Sequence, residues 1–162
     1  MTPKFPDNSG LRIAVYAGSF DPFTLGHLSI ASRGAAIFDR LIVAIGYNTA
    51  KAPRPEALND RAEAIRRALA TLPSDIGPRC SVEVYSGELT VDFARRRGAS
   101  WLLRGARTGA EFDAEMRLAD VNRAISGIET VILPALPELA ACSSSVVREL
   151  QSYGRDASIF LP

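Results

Sequence analysis

Apolar and polar residues fall in blocks of two alternating kinds along the chain. Ile13-Ala14-Val15-Tyr16 is a short apolar run of strand character, and beyond a glycine-bearing gap Leu28, Ala31, Ala35 and Phe38 recur at helical spacing. Leu41 to Gly46 is a continuous apolar run, as expected of a strand covered on both faces. Ala62, Ile65, Leu69 and Leu72 form a second helical stripe, with Arg61, Arg66 and Arg67 on its wet side and Asp60 with Glu63 as the expected N-terminal capping pair. Val82 and Val84 alternate around Glu83 in a third strand. Thr90 is expected to cap a short helix through Val91, Phe93 and Ala94 that stops at Gly98 after three arginines. Trp101-Leu102-Leu103 reads as a fourth strand, Phe112 to Ile125 as a long helix, and Val131-Ile132-Leu133 as a fifth strand. Ser143 to Ser145 then cap a last helix that carries Val146, Val147 and Leu150. Five strands alternating with helices predict an α/β protein with a doubly wound, parallel sheet and ligands at the carboxyl ends of its strands.

Composition narrows this picture. The 162 residues fit one domain, expected over residues 11–162 behind a flexible N-terminal arm at 1–10. A formal net charge of +1 argues against an extended nucleic-acid surface. No apolar run reaches the length of a membrane span, and Met1 to Gly10 lacks the apolar core of a signal peptide, so a cytoplasmic protein is expected. Cys80 and Cys142 are too few and too far apart for a disulfide framework or a CxxC metal site, and are read as free thiols in packing roles.

The candidate chemistry follows the strands. Gly18 to His27 lies between the first strand and the first helix, where a helix N-terminus offers free N–H groups to a phosphate. Gly18 is expected to let the backbone approach a ligand, and Gly26 to let the chain turn into the helix. His27, the only histidine, falls at the helix entrance. The Lys51 loop, the Arg104-Gly105-Ala106-Arg107 turn and the Ser143 turn each follow another strand, so all four segments are expected on one rim. These groups are donors rather than bases. They suit phosphoryl or nucleotidyl transfer, where positioning and charge stabilisation do most of the catalysis. The chain has no G-x-S-x-G elbow, no Walker P-loop and no G-x-G-x-x-G, which disfavours a serine hydrolase, a kinase-type ATP site and a dinucleotide redox enzyme.

The segment Gly18-Ser19-Phe20-Asp21-Pro22-Phe23-Thr24-Leu25-Gly26-His27 resembles the HxGH-type signature of the nucleotidyltransferase superfamily. Arg104-Gly105-Ala106-Arg107, the helix around Glu115, and Ser143-Ser144-Ser145-Val146-Val147-Arg148-Glu149 are similar to segments of the phosphopantetheine adenylyltransferases, and the likeness spans nearly all of Arg12 to Pro162. That resemblance implies a Rossmann-like single domain that transfers AMP from ATP to 4′-phosphopantetheine, giving dephospho-coenzyme A and pyrophosphate. Mg²⁺ would be carried mainly by the ATP phosphates, with no metal ligands from the protein. The family's hexamers imply a homo-oligomer.

The resemblance also assigns roles. His27, Lys51 and Arg107 are the implied catalytic groups. ATP would be met by Ser19, Phe20, His27, Gly105, Ala106, Arg107, Glu115, Leu139, Ala140, Ala141, Cys142, Ser143, Ser144 and Ser145. The acceptor would be met by Ser19, Lys51, Thr90 and Arg104, with the Leu89-Thr90 region along its pantetheine arm. Lys51 and Arg104 would grip the acceptor phosphate, whose ionised oxygen is the nucleophile, so no general base is needed. The chain departs from the family pattern at Ser19, which stands where Thr is frequent, and at Ala52, where a second Lys is frequent. Leu139 to Cys142 replace a stretch usually richer in aromatic residues. At Pro162 the chain stops where the family usually continues into another helix. The rival readings are a nicotinate mononucleotide or glycerol-phosphate enzyme of the same fold, and a non-catalytic nucleotide sensor. An aminoacyl-tRNA synthetase fragment is disfavoured by length and by the missing K-M-S-K-S-type loop.

Overall fold

In the computed structural model, residues 10–162 are described; the expected arm at 1–10 lies outside them except for Gly10. Five strands, β1 (Ile13–Gly18), β2 (Arg40–Tyr47), β3 (Cys80–Ser86), β4 (Trp101–Ala106) and β5 (Glu129–Pro134), form one parallel sheet in the order β3-β2-β1-β4-β5. The chain winds outward from β1 to β3, then crosses back to β4 on the other flank of β1. That reversal opens a crevice beyond the ends of β1 and β4, the place where an open α/β sheet binds ligands.

Side-chain alternation along the strands feeds two apolar layers. Ala14, Tyr16, Leu41, Val43, Ile45 and Leu103 face helices α1 (Leu25–Ile37) and α2 (Pro55–Leu69). Val15, Ala17, Ile42, Ala44 and Leu102 pack with Val91, Phe93 and Ala94 of α3 (Thr90–Arg96) on the opposite face. Helix α1 lies unusually close to the sheet. A Cβ on Gly34 would stand 2.3 Å from Leu103 Cδ2, so any larger residue there would force the buried Leu103 side chain to shift. Among the described residues no helix is long and apolar enough to cross a membrane.

Several local expectations are corrected. Helix α2 begins at Pro55, not at an Asp60 cap; proline fits the first helical position because its fixed φ suits the helix and its missing N–H would be unbonded there anyway. Asp60 and Glu63 therefore sit inside the helix. Thr90 is the first residue of α3 rather than its cap, and its hydroxyl pairs instead with the Tyr85 hydroxyl at 2.7 Å. Arg61 is not simply a wet-side residue. Its side chain is only 13% exposed and reaches the turn after β1.

Helix α4 (Gly109–Ser126) and α5 (Ser144–Ser152) complete the fold. Ser143 caps α5 as expected, its hydroxyl accepting from Val146 N at 3.2 Å. The apolar positions of α4 do not enter the core of the chain. Phe112, Met116, Leu118, Val121 and Ile125 are 44–57% exposed, and none of the helix's residues is buried.

Candidate active site

The turn after β1 is built on aromatic packing. Phe20 takes a left-handed backbone conformation, φ 46°, which a non-glycine residue holds only when its surroundings enforce it. The enforcement is visible: its buried ring meets Tyr16 at 5.1 Å, Phe23 at 5.4 Å and His27 at 5.1 Å, each edge to face. Thr24, fully buried, then caps α1.

His27 closes that cap from the other side. Its Nδ1 accepts the Thr24 backbone N–H at 3.0 Å and lies 3.1 Å from the Thr24 hydroxyl, while the His27 N–H donates back to that hydroxyl at 3.4 Å. An acceptor at Nδ1 places the neutral ring's proton on Nε2. Burial, followed by the charges of Arg107 and Arg104, lowers the imidazole pKa to about 4. At neutral pH the ring is therefore an uncharged N–H donor held rigid by its own helix cap.

A cavity of about 320 Å³ opens beside it. Its walls bring together Ser19, Phe20 and His27 from the turn, Gly105, Ala106 and Arg107 from the end of β4, and Leu139, Cys142 and Ser143 to Ser145 ahead of α5. Gly26 earns its place here for a reason other than a turn: it lies within α1, and a Cβ on it would come within 3.1 Å of the Cys142 carbonyl. The helix and the serine loop touch through that gap. Ala140 and Ala141 are exposed and do not line the cavity.

A second hollow, also about 320 Å³, lies across β1 and is lined by Ser19, Asn48, Tyr85, Glu88, Thr90 and Arg104 among others. Arg104 borders both spaces. Lys51 borders neither; it ends an exposed 3₁₀ turn, Thr49–Lys51, that stands off the sheet just past Asn48. Asn48 and Tyr85 were not singled out from the sequence. Both stand at strand ends on the same rim, which is the signal that could have found them.

Glu115, expected among the ATP contacts, does not line the cavity. Both of its carboxylate oxygens accept from Arg104, from Nε at 2.7 Å and from Nη2 at 2.6 Å, while Arg104 Nη1 donates to the Ala17 carbonyl at 2.6 Å. Arg104 is thus anchored on three sides, and its pKa is raised, first by the Glu115 hydrogen bonds. Arg107 is held likewise: its backbone N–H donates to Glu111 at 2.8 Å and its guanidinium pairs with the same carboxylate. Burial pushes the Glu111 carboxyl up, but the Arg107 hydrogen bonds and charge outweigh it and hold the group below its usual range.

The donor set of the first cavity comprises an imidazole N–H, guanidinium groups, serine hydroxyls and the amide ends of two helices, which is chemistry for oxyanions. Glu111, tied to Arg107, is a carboxylate at its edge. Among the described residues no three His, Cys, Asp or Glu side chains gather as a metal cage.

Comparison with known proteins agrees with this geometry. The cytidylyltransferase-like family matches residues 15–150. A protein of Porphyromonas gingivalis named phosphopantetheine adenylyltransferase is 51% identical over 151 residues, 93% of this chain and 94% of its own length. One of the same name from Bacteroides fragilis is 41% identical, covering 94% of this chain and 97% of itself. Among solved structures, Plasmodium falciparum nicotinic acid mononucleotide adenylyltransferase superposes with a TM-score of 0.65 at 14% identity, covering 92% of this chain and 88% of its own, a likeness of fold. With the turn of Gly18 to His27, the Arg104 turn and the serine loop meeting at one crevice, and with identities of this extent, the chain belongs to the cytidylyltransferase-like family and, within it, to the phosphopantetheine adenylyltransferases.

Proposed function

We propose that the chain transfers AMP from ATP to 4′-phosphopantetheine, releasing pyrophosphate and forming dephospho-coenzyme A. The observation that carries the reading is the pair of adjoining hollows with Arg104 between them. One offers donors suited to a nucleotide's phosphates, and the other is a second space reaching the same turn. A phosphate oxygen of the acceptor attacks the α-phosphorus of ATP as the bond to the β-phosphate oxygen breaks. The acceptor phosphate is already ionised, so no proton needs removing. That accords with a histidine that is neutral and has its basic nitrogen engaged by Thr24.

In this mechanism Ser19, the Phe20 backbone, Gly105 to Arg107, Leu139 and Cys142 to Ser145 receive ATP. His27 donates Nε2–H to charge that builds on the transferred phosphoryl group, and Arg107 adds a cation there. Arg104 receives the acceptor phosphate, Thr90 borders its arm, and Glu115 holds Arg104 rather than touching ATP. Lys51 acts as a catalytic cation if its loop folds over the site, a movement its exposed position allows. The residues present suit Mg²⁺ bound through the ATP phosphates, where it would draw off phosphate charge; the protein would hold that ion only through the nucleotide.

We further propose a homohexamer working in the cytoplasm. The exposed apolar side chains of α4 support assembly, since Leu118, Val121 and Ile125 share one face of the helix and call for cover. The two thiols, Cys80 half-buried and Cys142 buried, are unpaired, which suits a reducing compartment. Pyrophosphate release from ATP and Mg²⁺, measured with a panel of phosphorylated acceptors, tests the activity. Release with nicotinate mononucleotide or glycerol phosphate in place of phosphopantetheine would overturn it, as would no release with any acceptor.

A further inference from the structure

The carbonyl groups of the turn after β1 are taken up by side-chain donors. Arg104 Nη1 donates to Ala17 O at 2.6 Å, Arg61 Nη1 to Ser19 O at 2.8 Å, Arg148 to Asp21 O, and Ser144 Oγ to Pro22 O at 2.8 Å. Arg61 differs from the rest in position. Like Arg148 it borders none of the first cavity, but it stands in the middle of α2 and faces a separate groove with Asp21, Pro22 and Phe23. Its second nitrogen pairs with the Asp21 carboxylate at 2.9 Å, so one guanidinium spans two residues of the turn.

Peptide geometry gives that contact a consequence. The Ser19 carbonyl and the Phe20 N–H belong to one planar trans unit and point in opposite directions. Pinning the carbonyl to Arg61, outside the cavity, turns the N–H the other way, toward the cavity that Phe20 lines. A carbonyl swung inward would instead face a phosphate with its negative end. The left-handed φ of Phe20 belongs to the same arrangement, and successive amides turned one way make an anion-binding concavity.

We infer that Arg61 is a positioning residue of adenylyl transfer: it fixes the Ser19–Phe20 peptide so that the turn presents N–H groups, and not a carbonyl, to the nucleotide phosphates. This rests on the proposed adenylyltransferase reading. Arg61 borders neither of the two hollows assigned to the ligands. Its Asp21 bridge keeps it aligned, and a lysine, with one compact head, cannot serve carbonyl and carboxylate in the same fork.

The test compares Arg61→Met, Arg61→Lys and Asp21→Asn with the unaltered protein. The affinity for a non-hydrolysable ATP analogue and for phosphopantetheine is measured by calorimetry, alongside kcat and the thermal midpoint. In Arg61→Met the analogue binds about tenfold more weakly and kcat falls roughly 10- to 100-fold, while phosphopantetheine affinity stays within about twofold, the pattern of a misplaced reacting group. Arg61→Lys recovers part of both losses, and Asp21→Asn shows a smaller loss in the same direction. A folded Arg61→Met with unchanged analogue affinity and kcat overturns the inference, as does an equal loss for both ligands. If Arg61→Met does not fold, unchanged analogue affinity in both Arg61→Lys and Asp21→Asn overturns it. Unaltered protein that binds the analogue but releases no pyrophosphate with phosphopantetheine would sink the functional reading alone, because the analogue arm still decides the role of Arg61.

Discussion

Thr24 and His27 cap one another: the threonine hydroxyl accepts the histidine N–H at 3.4 Å, and the histidine Nδ1 accepts the threonine N–H at 3.0 Å. A capping box usually uses a glutamate or glutamine at the second position. With histidine there, the element that starts α1 also fixes which ring nitrogen carries the proton.

Removing that ring should cost chemistry more than binding. His27→Ala is expected to lower kcat by roughly 100- to 1,000-fold, the scale for losing one transition-state donor, with ATP affinity nearly kept. Steady-state kinetics beside analogue calorimetry check this; unchanged turnover would remove His27 from the mechanism.

The same residue should leave a mark on stability. Its folded pKa, about 4, lies below the ordinary 6.5, so between these values the unfolded chain takes up a proton that the folded chain refuses. Its contribution is fully present above pH 6.5 and is lost as pH falls toward 4, amounting to about 3 kcal/mol if the whole shift is expressed. Denaturant melts of the natural protein and of His27→Gln across pH 4–7 should differ in slope within that window and run parallel above it.

Glu115 should act through Arg104. Glu115→Gln keeps the shape but removes the charge that anchors the guanidinium, and is expected to raise the KM for phosphopantetheine about tenfold with little change in ATP affinity, since a hydrogen bond to a charged group is worth about 1.5–3 kcal/mol. Arg104→Ala should do the same more strongly, and pantetheine lacking its phosphate should be essentially inert with the natural protein. Equal weakening of ATP and acceptor by Glu115→Gln would return Glu115 to the nucleotide.

Gly34→Ala sets two effects against each other. Alanine in a helix interior gains about 1 kcal/mol over glycine. Against that, its Cβ would lie 2.3 Å from a methyl of Leu103, which is fully buried, and overpacking of this kind costs about 1–3 kcal/mol. Net destabilisation is expected, partly relieved by adding Leu103→Val; thermal melts of the single and double variants decide it.

The sheet and the rim were legible because apolar period and strand-end chemistry are local. Leu41 to Ile45, five apolar residues in a row, are all buried in β2, and of the three serines before Val146 the first, Ser143, caps α5. What escaped was tertiary. Asp60 and Glu63 carry a good local cap signal, but Pro55 five residues earlier starts the helix first. Arg61 occupies a polar face of α2 by periodicity, and nothing local says that the turn after β1 lies against that face. Glu115 meets Arg104 across a strand and a helix, a pairing that spacing along α4 does not reveal. Ala140 and Ala141 sit between lining residues in sequence yet are exposed and off the cavity wall, which their positions in the sequence do not reveal.

The crossing from β3 back to β4 has a bearing on how the protein comes into being. Arg104 and the Ala17 carbonyl it holds are 87 positions apart, and Arg148 and Asp21 are 127 apart. While the chain is being synthesised, β1 can pair with β2 and β2 with β3, yet the other edge of β1 stays open until β4 arrives. The complete Gly18–His27 segment is by then long made, but it lacks most of its walls, and of the arginines that hold its carbonyls only Arg61 has been made. Catalytic competence therefore appears in one late step rather than growing with length, and a nascent chain halted before β4 leaves that edge of β1 unprotected, a substrate for chaperones rather than a weak enzyme.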